Sequence, residues 1–152
     1  MAERDPVEGR GAGVAHRRLR QEADSPGARA GIVGVSTIGI PVSDQDRALA
    51  FYRDVLGFEV RVDAPLPQLG SRWIMLAPPG SAVSVSLVPA QPDAPAGVET
   101  GIRFETLDAE RTHETLSRAG ADVGEVLRWP DVPAMFAAHD PDGNRFEVVE
   151  RV

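Results

Sequence analysis

The stretch IPVSDQDRALAFYRDVLGFEV, residues 40–60, decides the fold because it passes from strand to helix and back to strand. Residues 35–42, VSTIGIPV, are typical of a strand. Apolar side chains then recur at helical spacing, at Ala48, Phe51, Tyr52, Val55 and Leu56. Gly57 is placed to end this helix, and FEVRVD, residues 58–63, predicts the next strand.

The segments that follow show that this unit is the first half of a duplication. SRWIMLA, residues 71–77, and AVSVSLV, residues 82–88, predict two more strands. After the proline-rich residues 89–97 the plan repeats, with a strand, a helix and further strands in TGIRFET, DAERTHETLSRAG, ADVGEVLRW, VPAMFAAHD and NRFEVVE. We therefore predict an α+β domain over residues 31–152, built from two βαβββ modules at residues 33–90 and 98–152.

The composition excludes several classes of protein. The chain has 152 residues, of which 42% are apolar, which is enough for one ordinary domain with a core. Without cysteine it has no disulfide, thiol nucleophile or thiolate metal site, and without lysine it has no Schiff-base lysine. The net charge of −7 argues against a nucleic-acid partner.

Residues 1–30 are expected to form a disordered tail, because they are rich in Arg, Gly, Glu and Ala and show no apolar period. They also lack the apolar core of a secretory signal. No run of about 18 apolar residues occurs in the chain, so we expect no membrane partner. These features, with the absence of cysteine, favour a cytoplasmic protein.

Residues 40–60, together with DPDGNRFEVVE at residues 140–150, resemble the vicinal oxygen chelate superfamily. This superfamily includes glyoxalase I, extradiol dioxygenases, and the bleomycin and fosfomycin resistance proteins. The resemblance covers residues 31–152 and implies two βαβββ modules whose curled mixed sheets form a cleft. It also implies a homodimer, but it leaves the activity open because this fold carries many chemistries.

In metal-dependent members of the superfamily, four side chains on the cleft-facing strands, mostly His and Glu, bind a divalent ion. The resemblance places these positions at Thr37, at Ser84 or Ser86, at Gly101 and at Glu147. Only Glu147 is a good ligand, since hydroxyls are weak neutral donors and glycine has no side chain. We therefore predict no metal cofactor, and metal-dependent glyoxalase or dioxygenase activity is disfavoured.

Arg103 and Glu147 are the two charged residues that this cleft is predicted to contain. Arg103 alternates with the apolar Ile102 and Phe104 and shares its face with Gly101, so it is placed to pair with Glu147. An arginine fork can hold a carboxylate or stabilise an oxyanion. A structural ion pair is the alternative explanation for the same two residues.

An aromatic wall is predicted on the same cleft. In SRWIMLA, residues 71–77, alternation turns Trp73 and Met75 away from the helix and towards the cleft, beside Ser84 and Ser86. A tryptophan there is suited to stacking on an aromatic or cationic ligand. Packing in the core or in a dimer is the alternative role.

These observations predict a metal-independent protein that sequesters a small molecule in an acidic, partly aromatic cleft. The predicted ligand-binding residues are Thr37, Trp73, Met75, Ser84, Ser86, Arg103 and Glu147. An alternative is a metal-free lyase or isomerase, with Glu147 as general base and Arg103 holding the developing oxyanion. A second alternative is a glyoxalase I-like metalloenzyme with displaced ligands. A general base needs a raised Glu147 pKa, whereas a binder of cations needs an ionised Glu147.

Overall fold

The computed structural model describes residues 30–152. The predicted tail, residues 1–30, therefore lies outside the described residues except for Ala30. Residues 30–35 contain no helix or strand. Residues 36–152 form a structural unit of their own, which contains every helix and strand named below.

Both predicted modules are present. The first module consists of β1 (Thr37–Val42), α1 (Gln45–Ala50), a π-helical turn (Phe51–Val55), β2 (Glu59–Leu66), a 3₁₀ turn (Pro67–Leu69), β3 (Ser71–Ala77) and β4 (Ser84–Pro89). The second consists of β5 (Glu99–Thr106), α2 (Ala109–Arg118), β6 (Asp122–Val123), β7 (Met135–His139) and β8 (Arg145–Glu150). Within the described residues, no helix is long and apolar enough to cross a membrane.

Each module builds a four-stranded mixed sheet, and the two sheets share one topology. The strand orders are β1-β4-β3-β2 and β5-β8-β7-β6. The pairs β1/β4 and β5/β8 are parallel, and the remaining pairs are antiparallel. Neither sheet closes into a barrel, so each has one face towards the helices and one open face. The predicted α+β fold of two βαβββ modules is confirmed.

The second module departs from the prediction in one strand. The sequence predicts a strand over residues 121–129, but the structure limits β6 to Asp122–Val123. Gly124 still donates its N–H to the carbonyl oxygen of Ala137 at 2.8 Å, and the chain then leaves the sheet. A glycine in a strand often marks such a departure, because it has no side chain to pack.

One aromatic core joins the two modules. The ring centroids of Phe51 and Phe146 are 6.5 Å apart, and those of Phe58 and Phe104 are 5.1 Å apart. Phe51, Phe58 and Phe146 are buried. Burial of each such ring contributes about 1.5–3 kcal/mol to stability. The modules therefore fold around a shared core rather than as independent halves.

The turn Asp140–Asn144 adds hydrogen bonds between the two modules. Asn144 is fully buried and donates from Nδ2 to the carbonyl oxygen of Pro41 in β1 at 2.8 Å. The same nitrogen donates to Oδ2 of Asp140 at 2.8 Å, and the hydroxyl of Tyr52 donates to that oxygen at 3.0 Å. The turn chemistry of this segment thus links the second module to the strand and helix of the first.

Candidate functional site

A cavity of about 660 Å³ opens where the two modules meet, and we call it the inter-module cavity. Its apolar walls are formed by Ile38, Val83 and Val85 from the first module and by Ile102 and Phe104 from the second. Ser84 and Arg103 are among the polar residues that line it. Volumes of about 300–1,000 Å³ with mainly apolar walls are typical of small-molecule sites.

Four charged side chains alternate in sign on the open face of the second sheet. Arg103 donates from Nε to Oε2 of Glu147 at 2.7 Å, and Arg145 donates to Oε1 of Glu147 at 3.3 Å. Arg145 also donates to Oε2 of Glu99 at 2.6 Å. The β5/β8 register places Arg103 beside Glu147 and Glu99 beside Arg145. These four residues, Arg103, Glu147, Arg145 and Glu99, form what we call the charged ladder. Its order follows from the pairing of two parallel strands.

These contacts favour the ionised form of both carboxylates. The hydrogen bond from Arg103 holds the pKa of Glu147 below its ordinary value, and Arg145 adds to this effect. The backbone N–H of Gly101, followed by Arg145, lowers the pKa of Glu99. Because each carboxylate has an arginine partner, this face of the second sheet carries alternating charges.

Arg103 is the member of this ladder that reaches the inter-module cavity. Its side chain is 72% exposed, and its hydrogen bond to Glu147 uses Nε. Within the described residues its two terminal nitrogens make no hydrogen bond, so they are free to donate to a ligand. Glu147 lies behind Arg103, with 22% of its side chain exposed.

A cluster of hydroxyl groups lies on the first sheet. Oγ1 of Thr37 and Oγ of Ser86 are 2.8 Å apart, and Thr37 is the β1 neighbour of Ser84. Ser84 and Ser86 are both buried. The hydroxyl of Ser84 donates to the carbonyl oxygen of Ser36 at 3.3 Å, which leaves its lone pairs available as acceptors at the cavity wall.

Met75 and Trp73 continue this face of the first sheet away from the inter-module cavity. Met75 is the β3 neighbour of Ser86 on β4. Trp73 lies opposite Ala64 on the outer strand β2, and 51% of its surface is exposed. The Trp73 ring is therefore open to a ligand or to another protein surface.

The structure brings two of the seven predicted residues, Ser84 and Arg103, to the inter-module cavity. Glu147 contacts Arg103 from behind, and Thr37 donates to the carbonyl oxygen of Ser84 at 3.3 Å. The other three lie along the open face of the first sheet: Met75, Ser86 and Trp73. Convergence of all seven on one ligand stays a prediction.

The donor set at the four metal positions implied by the resemblance does not fit a metal ion. Thr37 and Ser86 are hydroxyls bonded to each other, and Gly101 has no side chain. Both oxygens of Glu147 already accept hydrogen bonds from arginine. Across residues 30–152, no three His, Cys, Asp or Glu side chains are arranged so that they could hold a metal ion.

Two residues of the charged ladder, Arg145 and Glu99, were not predicted as site residues. The alternation that places Glu147 on the open face also places Arg145 there. Glu99 likewise shares its face with Arg103 on β5. The signal that identifies them is the complementary charge on facing positions of two parallel strands.

Comparisons with known proteins agree with this architecture. The profile of the Glyoxalase/Bleomycin resistance protein/Dioxygenase superfamily matches residues 34–148. Among curated proteins, YetH of Bacillus subtilis is 28% identical over 120 residues, which are 76% of this chain and 97% of YetH.

Two solved structures extend the comparison. TnmS3, an antibiotic binding protein from a Streptomyces species, is 29% identical with a TM-score of 0.73, and the match covers 82% of this chain and 100% of TnmS3. A member of the same superfamily from Sphaerobacter thermophilus is 35% identical with a TM-score of 0.70. That match covers 79% of this chain and 98% of the other.

Proposed function

We propose that this chain, which belongs to the Glyoxalase/Bleomycin resistance protein/Dioxygenase superfamily, binds and sequesters a small organic molecule without a metal. The observation that carries the proposal is the hydrogen bonding of Glu147. At the four metal positions that the resemblance implies, this is the one residue whose side chain is a strong metal ligand. Its two oxygens accept hydrogen bonds from Arg103 and Arg145, so the carboxylate is already engaged within the charged ladder. What the site offers a ligand is the inter-module cavity and the free donors of Arg103.

The similarity to TnmS3 supports small-molecule binding as the class of function. TnmS3 is an antibiotic binding protein, and its match covers most of both chains at a TM-score of 0.73. Identity of 29% supports a shared mode of action but does not transfer a ligand. We therefore carry over the binding role and derive the ligand's chemistry from the cavity itself.

The cavity favours a molecule that combines apolar surface with at least one hydrogen-bond acceptor. Ile38, Ile102 and Phe104 offer apolar and aromatic surface. Arg103 offers N–H donors to a carbonyl, phenolate or carboxylate oxygen, and such charge-assisted bonds fix a ligand's orientation. Ser84 offers a hydroxyl acceptor on the opposite wall.

The enzymatic alternatives receive less support from the same geometry. A general base at neutral pH needs a carboxylate whose pKa is raised towards 7 and whose oxygens can reach a substrate proton. The pKa of Glu147 is instead lowered by Arg103, and both oxygens are engaged. The glyoxalase I-like alternative receives no support from the described residues, in which no three His, Cys, Asp or Glu side chains are grouped so that they could hold a metal ion.

We further propose that the working form is a cytoplasmic homodimer. The open face of the first sheet leaves Trp73 and Val88 about half exposed, at 51% and 45%. A second copy that covers this face would bury apolar surface and enclose the positions of Met75 and Ser86 beside the ligand.

The proposal is tested by screening chelator-treated protein against a panel of natural-product antibiotics, with thermal shift first and calorimetry for the compounds that stabilise it. Wild-type protein is compared with Arg103→Gln and with Val83→Trp, which fills the cavity from its wall. We expect Arg103→Gln to weaken binding by about tenfold and Val83→Trp to abolish it. The control is Arg118→Gln, a surface arginine on α2 that should leave binding unchanged.

Two results would contradict the proposal. One is the absence of any saturable ligand across the panel. The other is a ligand whose affinity is unaffected by Val83→Trp, which would place binding outside the inter-module cavity.

A further inference from the structure

We propose a second ligand site on the helix side of the second sheet, which takes a small aromatic carboxylate with Arg111 as its anion receptor. A cavity of about 350 Å³ lies there, between the end of the π-helical turn, α2 and the loop Pro78–Pro79. We call it the helix-side cavity. It is distinct from the inter-module cavity, although the two share Phe104, Glu105 and the Pro78–Pro79 loop as a common wall.

The floor of the helix-side cavity is an aromatic cluster held in fixed orientation. The ring of Phe104 packs edge-to-face against Phe58 at 5.1 Å and against Phe146 at 5.3 Å. Phe58 and Phe146 are buried, whereas Phe104 is partly exposed to the cavity. Leu116 of α2 closes one side. A floor of rings already locked against each other is suited to a flat apolar ligand.

The rim of the cavity contains a guanidinium with no protein partner. Within residues 30–152, the side chain of Arg111 makes no hydrogen bond or ion pair. The nearby carboxylate of Glu105 is engaged by Arg151, with Nε to Oε2 at 3.0 Å. The positive charge of Arg111 is therefore not matched by the one acidic side chain that lines the same cavity.

The other polar groups at the rim are bonded to each other. The hydroxyls of Thr106 and Thr112 are 2.7 Å apart, and the hydroxyl of Thr115 donates to the carbonyl oxygen of Arg111 at 2.8 Å. This leaves Arg111 as the free donor beside an apolar floor. A planar guanidinium matches a carboxylate through two parallel N–H to oxygen bonds. The combination selects a flat ring that bears a carboxylate.

The two cavities are lined by different arginines, Arg111 in the helix-side cavity and Arg103 in the inter-module cavity. Phe104 and Phe146 face the helices, whereas Arg103 and Glu147 face the open side of the same sheet. The two sites can therefore be tested separately by replacing one arginine at a time.

The probe is 2-naphthoate, with 2-naphthamide as a neutral molecule of the same shape, both measured by calorimetry on the full chain. We expect 2-naphthoate to bind with a Kd of roughly 0.1–1 mM, as suits a small ligand in a shallow cavity. Arg111→Gln should raise that Kd by about tenfold and change the Kd of 2-naphthamide less than about twofold. Thr115→Trp, which fills the rim, should abolish binding of both probes.

Three controls make the result specific. Arg118→Gln removes the same charge from the far end of α2 and should leave the Kd of 2-naphthoate unchanged. Arg103→Gln should also leave it unchanged, because it alters the other cavity. The thermal unfolding midpoint of Arg111→Gln should equal that of wild type, since this side chain holds no partner.

The site is disproved if 2-naphthoate shows no saturable binding up to about 5 mM, or if Arg118→Gln weakens it as much as Arg111→Gln does. Loss of binding in Arg103→Gln with retention in Arg111→Gln would place the probe in the inter-module cavity and also overturn the proposal. None of these outcomes contradicts the sequestration proposal, which is tested with other ligands and with Val83→Trp.

Discussion

Asn144 connects the two modules through the hydrogen bonds of its buried side chain. Its Nδ2 donates to Pro41 and Asp140 at 2.8 Å each, and its Oδ1 accepts the N–H groups of Gly97 at 2.9 Å and Val98 at 3.1 Å. The residue is fully buried, so water could not replace the hydrogen bonds that a truncated side chain would lose. The four partner groups would then be buried without a hydrogen-bond partner at this position.

Asn144→Ala should therefore lower the free energy of unfolding by about 3 kcal/mol. Chemical denaturation followed by circular dichroism measures this value. Glu125→Ala, a change at an exposed loop residue, is the control and should cost less than about 0.5 kcal/mol. A cost for Asn144→Ala no greater than the control's would show that the connection between the modules does not rely on this side chain.

Glu147 links the charged ladder to the pH dependence of stability. Its pKa is lowered in the folded protein from the ordinary value of 4.5, chiefly by Arg103. A carboxylate with a depressed folded pKa stabilises the protein above its unfolded pKa, and this contribution is lost as pH falls through the folded pKa.

Glu147→Gln should accordingly lower stability at pH 7 by no more than about 1 kcal/mol, because the pair is partly solvated. The difference from wild type should shrink as pH falls below about 4.5, the ordinary pKa of this carboxyl group. Urea denaturation at pH 7, 4 and 3 measures it, with Glu125→Gln as the control. A difference that is constant across this range, or that grows as pH falls, would contradict the ionised, arginine-paired state of Glu147.

Strand β5 is the element whose geometry removes a ligand position. Its register with β8 shifts between Glu99 and Arg103, so that two extra residues bulge out of the ladder. Gly101 lies in this bulge with φ of 69°, a left-handed conformation that glycine adopts without strain. One of the four metal positions implied by the resemblance is therefore built here for a residue without a side chain.

The cost of a substitution at this bulge should depend on the backbone conformation that the new residue prefers, because there is space for its side chain. A Cβ at Gly101 meets no atom within 4 Å, so the cost of Gly101→Ala comes from φ and should be about 1–2 kcal/mol. Gly101→Asn should cost less, since asparagine tolerates the left-handed region. Gly39→Ala on β1, where the new Cβ would meet Val88 at an ordinary 3.6 Å, is the matched control and should be close to neutral. Equal costs for Ala and Asn at Gly101 would contradict this account.

The elements with a clear period were predictable from the sequence, whereas their irregularities were not. β3 at Ser71–Ala77 has the predicted bounds, because its continuous apolar run lies between Gly70 and Pro78. The bulge at Gly101 and the early end of β6 depend on partners far along the chain. The same holds for Asn144, which bonds to Pro41 103 residues away, so the sequence predicts a turn there but not a connection between the modules.

The candidate site was predictable to a lesser degree. Alternation correctly suggests that Arg103 pairs with Glu147, because both lie on the open face of neighbouring strands. It does not reveal that Arg145 shares Glu147, nor that the cavity wall is formed by the Pro78–Val83 segment of the other module. Those facts depend on how the modules pack, which single-strand periodicity does not encode.

The molecule as a whole presents two open sheet faces, and this governs its expected assembly. We expect a homodimer with a mass near twice the chain mass of 16.2 kDa, measured by light scattering at micromolar concentration. Trp73→Arg on the open face of the first sheet should weaken the dimer, whereas Arg118→Gln on α2 should not. A wild-type monomer at about 100 µM would mean that a single chain completes the site.

Metal-independent ligand binding is the central claim, and calorimetry in the presence and absence of a chelator tests it most directly. The strongest ligand from the antibiotic panel is titrated into protein treated with EDTA and into protein supplied with Zn²⁺, Ni²⁺ or Mn²⁺. Because Glu147 is held by Arg103 and Arg145, we predict the same Kd within about twofold in all four samples. We also predict that mass spectrometry recovers the ligand unchanged. Binding that requires a metal, or conversion of the ligand to a product, would contradict the account.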